Sequence, residues 1–378
     1  MQNIFKGRGE GLDRMTYIDF INYVFGFNGH DTDFLKLLPK LYKEQYEPCY
    51  NSFVVTEDGE YRAAIGCFPR KFMVGDEELV SHGIGNVAVH PRHRSKGYMK
   101  DCLHNAIASM IEAGADFSDL GGQRQRYGYF SYEKGSSERS FHITDINLRH
   151  AFGKAPLKDL TFKVINDEND PLIEGIWALH NTRKVHAVRP KEAFLDIARS
   201  WESTLTAILD GERLVGYYIG GLGELTLADS KDFDDVIRNY VKKFGNATFH
   251  VPSWDTAMSR RAWELCEGTG EGNVEMVTIF HFAKVVKAFL KLKAGYAALK
   301  DGSVVYHVSG IAGEENFRIT VKDNAVTVEE TDDKADVTLE HHAAISYFFG
   351  SYSTQRGEFA GDAGWFPLDM YFDSADHV

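Results

Sequence analysis

The chain is 378 residues long, 43% hydrophobic and 26% charged, which supplies core for two or three domains and excludes an extended disordered protein. Lys+Arg 42 against Asp+Glu 55 leaves a net charge of -13, so no nucleic-acid or anionic-membrane partner is expected and cationic ligands are favoured. No apolar run is long enough to cross a bilayer, "MQNIFKGRGEG" has no signal-peptide core, and Cys49, Cys67, Cys102 and Cys266 are scattered without a CxxC pair; a cytoplasmic protein with reduced thiols is expected.

In chain order, "MTYIDFINYVFG" places Phe20, Ile21 and Val24 at helical spacing and ends at Gly26, and "DFLKLLPKLY" predicts a short helix broken near Pro39. The period then changes. "SFVVTEDGEYRAAIGCFPRKFMVGDEELVSHGIGNVAVHP" predicts three antiparallel strands turning at Asp58-Gly59 and Gly75-Asp76. From Gly97, Met99, Leu103, Ile107 and Met110 recur at helical steps until Gly114; "DFSDL" predicts a strand, and "GGQRQRYGYFSYEKG" a helix-like turn.

A second unit starts near Leu160. Helical "IEGIWALHNTRKVHAV" and "PKEAFLDIARSW" precede strands "LTAILDGERLVGYYIGG" and "GELTLAD", helix "FDDVIRNYVKKFG" and strand "ATFHVP". That order repeats the first unit in outline and hints at duplication. A third unit, from near Lys284, predicts helix "AKVVKAFLKLKA", strands "GSVVYHVSG", "ENFRITVKDNAVTVEE" and "ADVTLE", helix "HHAAISYFFGS" and an aromatic tail. The expected fold class is α+β.

The junction "GNVAVHPRHRSKGYMKDCL" carries the functional signal. A helix N-terminus presents amides with no intrahelical partner and partial positive charge, a setting that stabilises phosphate. Gly97 admits close backbone approach, and Arg94 and Lys96 add cations. Pro91 stops the strand Val87-Ala88-Val89 and leaves backbone groups free for an extended ligand. A polar chain ending in a pyrophosphate, such as the pantetheine arm of coenzyme A, fits that surface.

On these residues, Arg94-Ser95-Lys96-Gly97-Tyr98-Met99 resembles the Arg/Gln-x-x-Gly-x-Gly/Ala loop of GCN5-related N-acetyltransferases (the GNAT superfamily), departing from it at Met99. "YGYFSYEKG" is similar to the segment after that fold's fifth strand. The whole chain resembles the Eis-type (enhanced intracellular survival) acetyltransferases. The resemblance implies a catalytic GNAT domain at 1–155, a degenerate GNAT-like domain at 156–283, whose "SKDFDD" would repel a pyrophosphate, and a sterol-carrier-protein-2-like domain at 284–378.

It further implies acetyl-CoA as co-substrate and a multi-amine acceptor such as an aminoglycoside or a lysine side chain, with a homo-oligomer, a hexamer in that family, as the assembly. Tyr127 aligns with the family's general acid, with Tyr129 and Tyr132 as competitors, and the α-carboxylate of Val378 with its base. Cofactor contacts carry over to Val87, Ala88, Val89, Arg94, Ser95, Lys96, Gly97, Tyr98, Met99, Lys100, Gly122 and Gln123. An acceptor pocket is expected from Asp31, Asp33, Asp373 and Asp376, with Phe25 and Phe27 as walls.

A phenol of pKa about 10 stays protonated at neutral pH and can protonate a thiolate of pKa about 8.5; an α-carboxylate of pKa about 3.5 is a weak base for an ammonium unless a dry cleft shifts both. No metal is expected, because neither "HPRH" nor "EHH" has zinc-ligand spacing. GxSxG is absent, and "GIG" at 83–85 is not followed by the helix a dinucleotide fingerprint needs. The alternatives to an enzyme are a sensor that holds CoA or a cation without turnover and a lipid carrier acting through the last unit.

Overall fold

The computed structural model describes residues 3–27, 29, 32–273, 275–351, 359 and 361–378. β1 (Ile4–Arg8) leads into α1 (Arg14–Gly26), opened by the Asp13 carboxylate accepting from the Thr16 amide at 2.7 Å, the expected N-cap chemistry. Two short helices follow, α2 (Phe34–Leu37) and α3 (Pro39–Tyr42), and the chain enters a meander of β2 (Ser52–Glu57), β3 (Glu60–Val74) and β4 (Glu77–Val89). Asp58, Gly59 and Gly75 take φ of 53°, 86° and 61°, the left-handed backbone that these tight hairpins require. Then come α4 (Tyr98–Glu112), β5 (Phe117–Leu120) and α5 (Arg124–Tyr127).

These strands lie in one sheet in the order β1-β2-β3-β4-β5. β5 runs parallel to β4 over three pairs only, Ser81 with Phe117, His82 with Ser118 and Gly83 with Asp119. Beyond Gly83, β4 has no strand partner on that side among the described residues. On its other side, the register with β3 slips between Ala64 and Gly66, opposite Asn86 at φ 51°. A bulge bends its strand and re-aims it. The buried Asn86 amide is fixed there by donating to the Tyr42 hydroxyl. β4 and β5 therefore begin paired and end unpaired, which leaves an opening at the strand ends.

The same sheet recruits distant segments. Met276–Ile279 inserts antiparallel between β5 and Glu133–Lys134, and Val185–Ala187 pairs with Phe72, Met73 and Val74 of β3. The sequence reading carries a helix through Val188, whereas the helix Leu172–His180 stops earlier and Val185-His186-Ala187 joins the open edge of β3 as a strand. Among the described residues three further sheets complete a mixed α+β architecture: Thr161–Ile165 with Leu205–Asp210, Arg213–Ile219 and Glu224–Leu227; Glu138–Thr144 between Asn246–His250 and Gly268–Gly272; and the four strands between Gly302 and Glu340.

The largest core joins the helix Phe282–Ala294 and the last sheet to the first through the tail. Phe372 stacks on Phe117 at 5.5 Å between ring centroids, with Phe72 on its flank at 5.0 Å. Aromatic contacts of this kind contribute about 0.5–1.5 kcal/mol each beyond area burial. They seat the tail on the first sheet. Cys49, Cys67 and Cys102 are buried and all four thiols are free, as expected.

Candidate active site

α4 begins at Gly97, whose φ of 84° reverses the chain out of the loop. No side chain caps this end, so the first amides of a 15-residue helix face outward without a protein partner at the cap. A Cβ built on Gly97 meets nothing within 4 Å, so backbone conformation, rather than crowding, selects glycine. Ser95, at φ 66°, makes the second left-handed step. Arg94, Ser95, Lys96 and Lys100 are exposed, Met99 is half-buried, and Arg94 lies over the Phe27 ring at 5.9 Å.

Tyr98 turns inward and donates its hydroxyl to the buried carboxylate of Glu57. Arg62 at 3.0 Å, His93 at 3.2 Å and Lys96 at 3.3 Å converge on the same group. With Tyr98 as the largest influence, the Glu57 carboxyl is held down to about 2, so it stays ionised and ties the loop to the end of β2. Val87 and Val89 are half-buried on the unpaired edge of β4, with Ala88 buried between them. The predicted cofactor residues at 87–89 and 94–100 thus run from the free edge of β4 to the start of α4, with Ala88 and Tyr98 buried among them.

Past β5, Gly122 takes φ 132°, and a Cβ on it would stand 2.9 Å from the Tyr127 ring. Gly122 and Gln123 are exposed, while Tyr127 is buried, which pushes its phenol up from the ordinary value. Of the competitors, Tyr129 is 88% exposed, and Tyr132 is fully buried with its hydroxyl 2.8 Å from Ser118 Oγ.

Val378 lies against β4. A Cβ on Gly83 would stand 2.5 Å from Val378 Cγ2, and one on Gly85 would stand 2.8 Å from its carboxyl carbon. The "GIG" triplet therefore makes room for the chain terminus beside the last β4–β5 pair. Lys40 donates to the carbonyls of Ala375 at 2.6 Å and His377 at 2.5 Å, and Arg70 to that of Asp376 at 2.6 Å. Arg183 grips Asp373 through both its terminal nitrogens, and Arg189 grips Asp376 at 2.8 Å and Glu224 at 2.7 Å. Burial of Lys40 pulls its ammonium down to about 7.

The expected acceptor pocket needs correction. Asp373 and Asp376 are buried and engaged by arginines, so they fix the tail instead of facing a ligand. Asp33 caps α2 and pairs with Lys36 at 2.9 Å, and Asp31 lies outside the described residues. Phe25 and Phe27 are exposed. Two cavities adjoin the terminus. One, of about 540 Å³, is mostly apolar and is lined by Phe68, Val80, Ile197 and Val378. The other, of about 300 Å³, is lined by Ser136, Glu138, His250, Glu275, Phe372 and His377. The sequence reading missed Glu275, His377, Lys40, Arg70 and Arg189. A lysine inside the apolar "LLPKLY" was the one local signal for any of them.

Among the described residues no cluster of three or more His, Cys, Asp or Glu could hold a metal, and no helix is long and apolar enough to cross a membrane. No curated protein matches the sequence. Among solved structures, Eis1 from Mycobacterium abscessus aligns over 100% of both chains with a TM-score of 0.64 at 13% identity. A probable N-acyltransferase from Enterococcus faecalis aligns over 91% of this chain and 88% of that one, with a TM-score of 0.60 at 15% identity. A GCN5-related N-acetyltransferase from Anabaena variabilis aligns over 91% and 89%, with a TM-score of 0.62 at 13% identity. Identities this low speak for the fold alone. Residues 12–134 match the family described as "Acetyltransferase (GNAT) domain", a span that contains β2 to β5, the loop from Arg94 to Gly97 and Tyr127. Residues 12–134 therefore carry a GNAT acetyltransferase domain, which makes the protein an acetyltransferase, with acetyl-CoA as the co-substrate that fold implies.

Proposed function

We propose that the protein acetylates amines of multi-amine acceptors, aminoglycosides or lysine side chains, by direct attack of the amine on acetyl-CoA. The observation that carries this reading is the seat of the Val378 carboxyl against Gly85, beside the point where β4 and β5 stop pairing. Tyr127 is the general acid. Its burial keeps the phenol protonated, ready to donate to the departing thiolate. The terminal carboxylate is the general base for the attacking nitrogen. Backbone amides at the start of α4, with Arg94, Lys96 and Lys100 around them, hold the diphosphate, and the free edge of β4 at Val87, Ala88 and Val89 aligns the pantetheine arm, with Gly122 and Gln123 completing the site.

In this reading 156–283 is a GNAT-like domain without a cofactor loop. The helix Phe233–Phe244 opens with Asp232, Asp234 and Asp235, which repel a diphosphate. Residues 284–378 form a sterol-carrier-like domain whose tail completes the catalytic one, and the assembly is a homo-oligomer, a hexamer by family resemblance. The test is thiol release from acetyl-CoA with a panel of aminoglycosides and lysine peptides. Turnover that falls about 100-fold when one glycine is appended after Val378, with CoA binding retained, supports the account. Binding without thiol release from any amine contradicts it and favours a sensor.

A further inference from the structure

The larger of the two cavities beside the terminus, about 540 Å³, has the volume of an ordinary small-molecule site, about 300–1,000 Å³. Phe68, which pairs with Gly83 across β3 and β4, and Val378, whose side chain packs on Gly83, are both on its wall. Val378 does not line the cavity of about 300 Å³, whose wall holds His377 instead. The larger cavity is thus the one that adjoins the residue assigned as the base.

Part of that wall comes from far along the chain. Val188 follows the strand Val185–Ala187, and its amide donates to the Lys71 carbonyl of β3 at 2.8 Å, which brings the helix Phe194–Arg199 and its Ile197 to the same cavity. Val188 is 45% exposed, and Leu41, Val80 and Ile197 are half-buried. Apolar side chains left uncovered around a concave site favour a ligand with an apolar body.

The charges on the wall limit how many ammonium groups that ligand can carry. Among the described lining residues the only anions are Asp376 and the Val378 carboxylate. Asp376 already accepts from Arg189 Nε and Nη2, each at 2.8 Å. Arg70 pairs with Asp119, Lys71 with Glu78 at 2.9 Å, and Lys40 donates to the carbonyls of Ala375 and His377. One ammonium can face the Val378 carboxylate. A second or third would meet Lys40, Arg70, Lys71 and Arg189 with no carboxylate left to pair it, and an unpaired charge taken out of water is costly.

We propose that this cavity is the acceptor site and that it selects a single primary amine on an apolar stem, an inference that rests on the acetyltransferase reading above and narrows its acceptors. A lysine side chain between apolar neighbours and a free arylalkylamine share that chemistry; an aminoglycoside, polar throughout and several times charged, does not. Specificity then resides in Val188 and Ile197, outside the residues that hold the cofactor, and the second unit acts as the acceptor wall of the first.

The experiment is kcat/KM for thiol release from acetyl-CoA by the full-length protein with 2-phenylethylamine, with a terminally blocked peptide holding one lysine between two leucines, and with an aminoglycoside. The cavity predicts that at least one single amine is preferred to the aminoglycoside by about 10-fold or more. Turnover of the free amine marks a small-molecule source, and turnover of the peptide a protein side chain. V188D puts a carboxylate on the wall and keeps the Val188 backbone contact to Lys71. It should shrink the preference by about 10-fold or more, through a higher KM for the single amines, with melting and CoA binding unchanged. An aminoglycoside used by the wild type as well as either single amine overturns the assignment, whether or not V188D folds, and leaves the acetyltransferase reading standing. A folded V188D with an unchanged preference does the same. No thiol release by the wild type with any amine contradicts that reading, and the assignment with it.

Discussion

Tyr127 and Tyr129 are two residues apart, yet one is buried against Gly122 and the other is almost fully in solvent. A proton donor to a thiolate must be held in place, so Tyr127→Phe should lower kcat about 100-fold with KM nearly unchanged, and Tyr129→Phe should stay within about twofold in a steady-state thiol assay. Gly85 makes a second residue-scale test. A methyl there would meet the Val378 carboxyl carbon at 2.8 Å, so Gly85→Ala should displace the terminus and cut kcat at least tenfold while CoA still binds. Glu275 makes a third, through stability. Its carboxyl, raised to about 8, keeps in the folded state a proton that the unfolded chain releases near its ordinary pKa of about 4.3. Stability contributed by that proton is present at low pH and is lost as pH rises through about 8. E275Q should therefore melt higher than wild type by a margin that widens between pH 5 and pH 8.5 in thermal scans.

At the scale of elements, α4 and the tail have opposite histories. The start of α4 was legible in the sequence because its signals are local: a strand ended by Pro91, a glycine at φ 84°, and apolar residues at helical steps. Gly97→Asp places a carboxylate at those amides without a clash, and should abolish CoA binding in calorimetry while the far-UV spectrum is kept. The tail was not legible in this way. Its anchors Lys40, Arg70, Arg183 and Arg189 lie far away in the chain, and no periodicity announces an arginine that pairs with Asp376 across 187 residues. The same sequence distance explains why Asp373 and Asp376 looked like ligands for a cation, and why the strand at Met276–Ile279 escaped notice. Asp376→Ala breaks a buried ion pair and should destabilise the fold by about 3–5 kcal/mol in denaturant titration, with activity lost before global unfolding.

Over the whole molecule, the first sheet acts as the platform on which three sequence-distant parts meet. Val185–Ala187 extends β3, Met276–Ile279 flanks β5, and the last residues of the chain pack on β4. Composition and periodicity predicted the α+β class; they did not predict that strands from the middle of the chain complete the first sheet, because edge pairing depends on which edges are open after folding. The arrangement ties the first sheet to segments from the middle and the end of the chain, and seats Val378 where β4 and β5 stop pairing. The most direct test is a crystal structure with coenzyme A bound. The account predicts the diphosphate on the amides of Tyr98, Met99 and Lys100, the pantetheine arm along Val87, Ala88 and Val89, and the sulfur within hydrogen-bond reach of the Tyr127 hydroxyl, beside Val378. A diphosphate bound elsewhere, or a thiol pointing away from Tyr127 and the terminus, would contradict it.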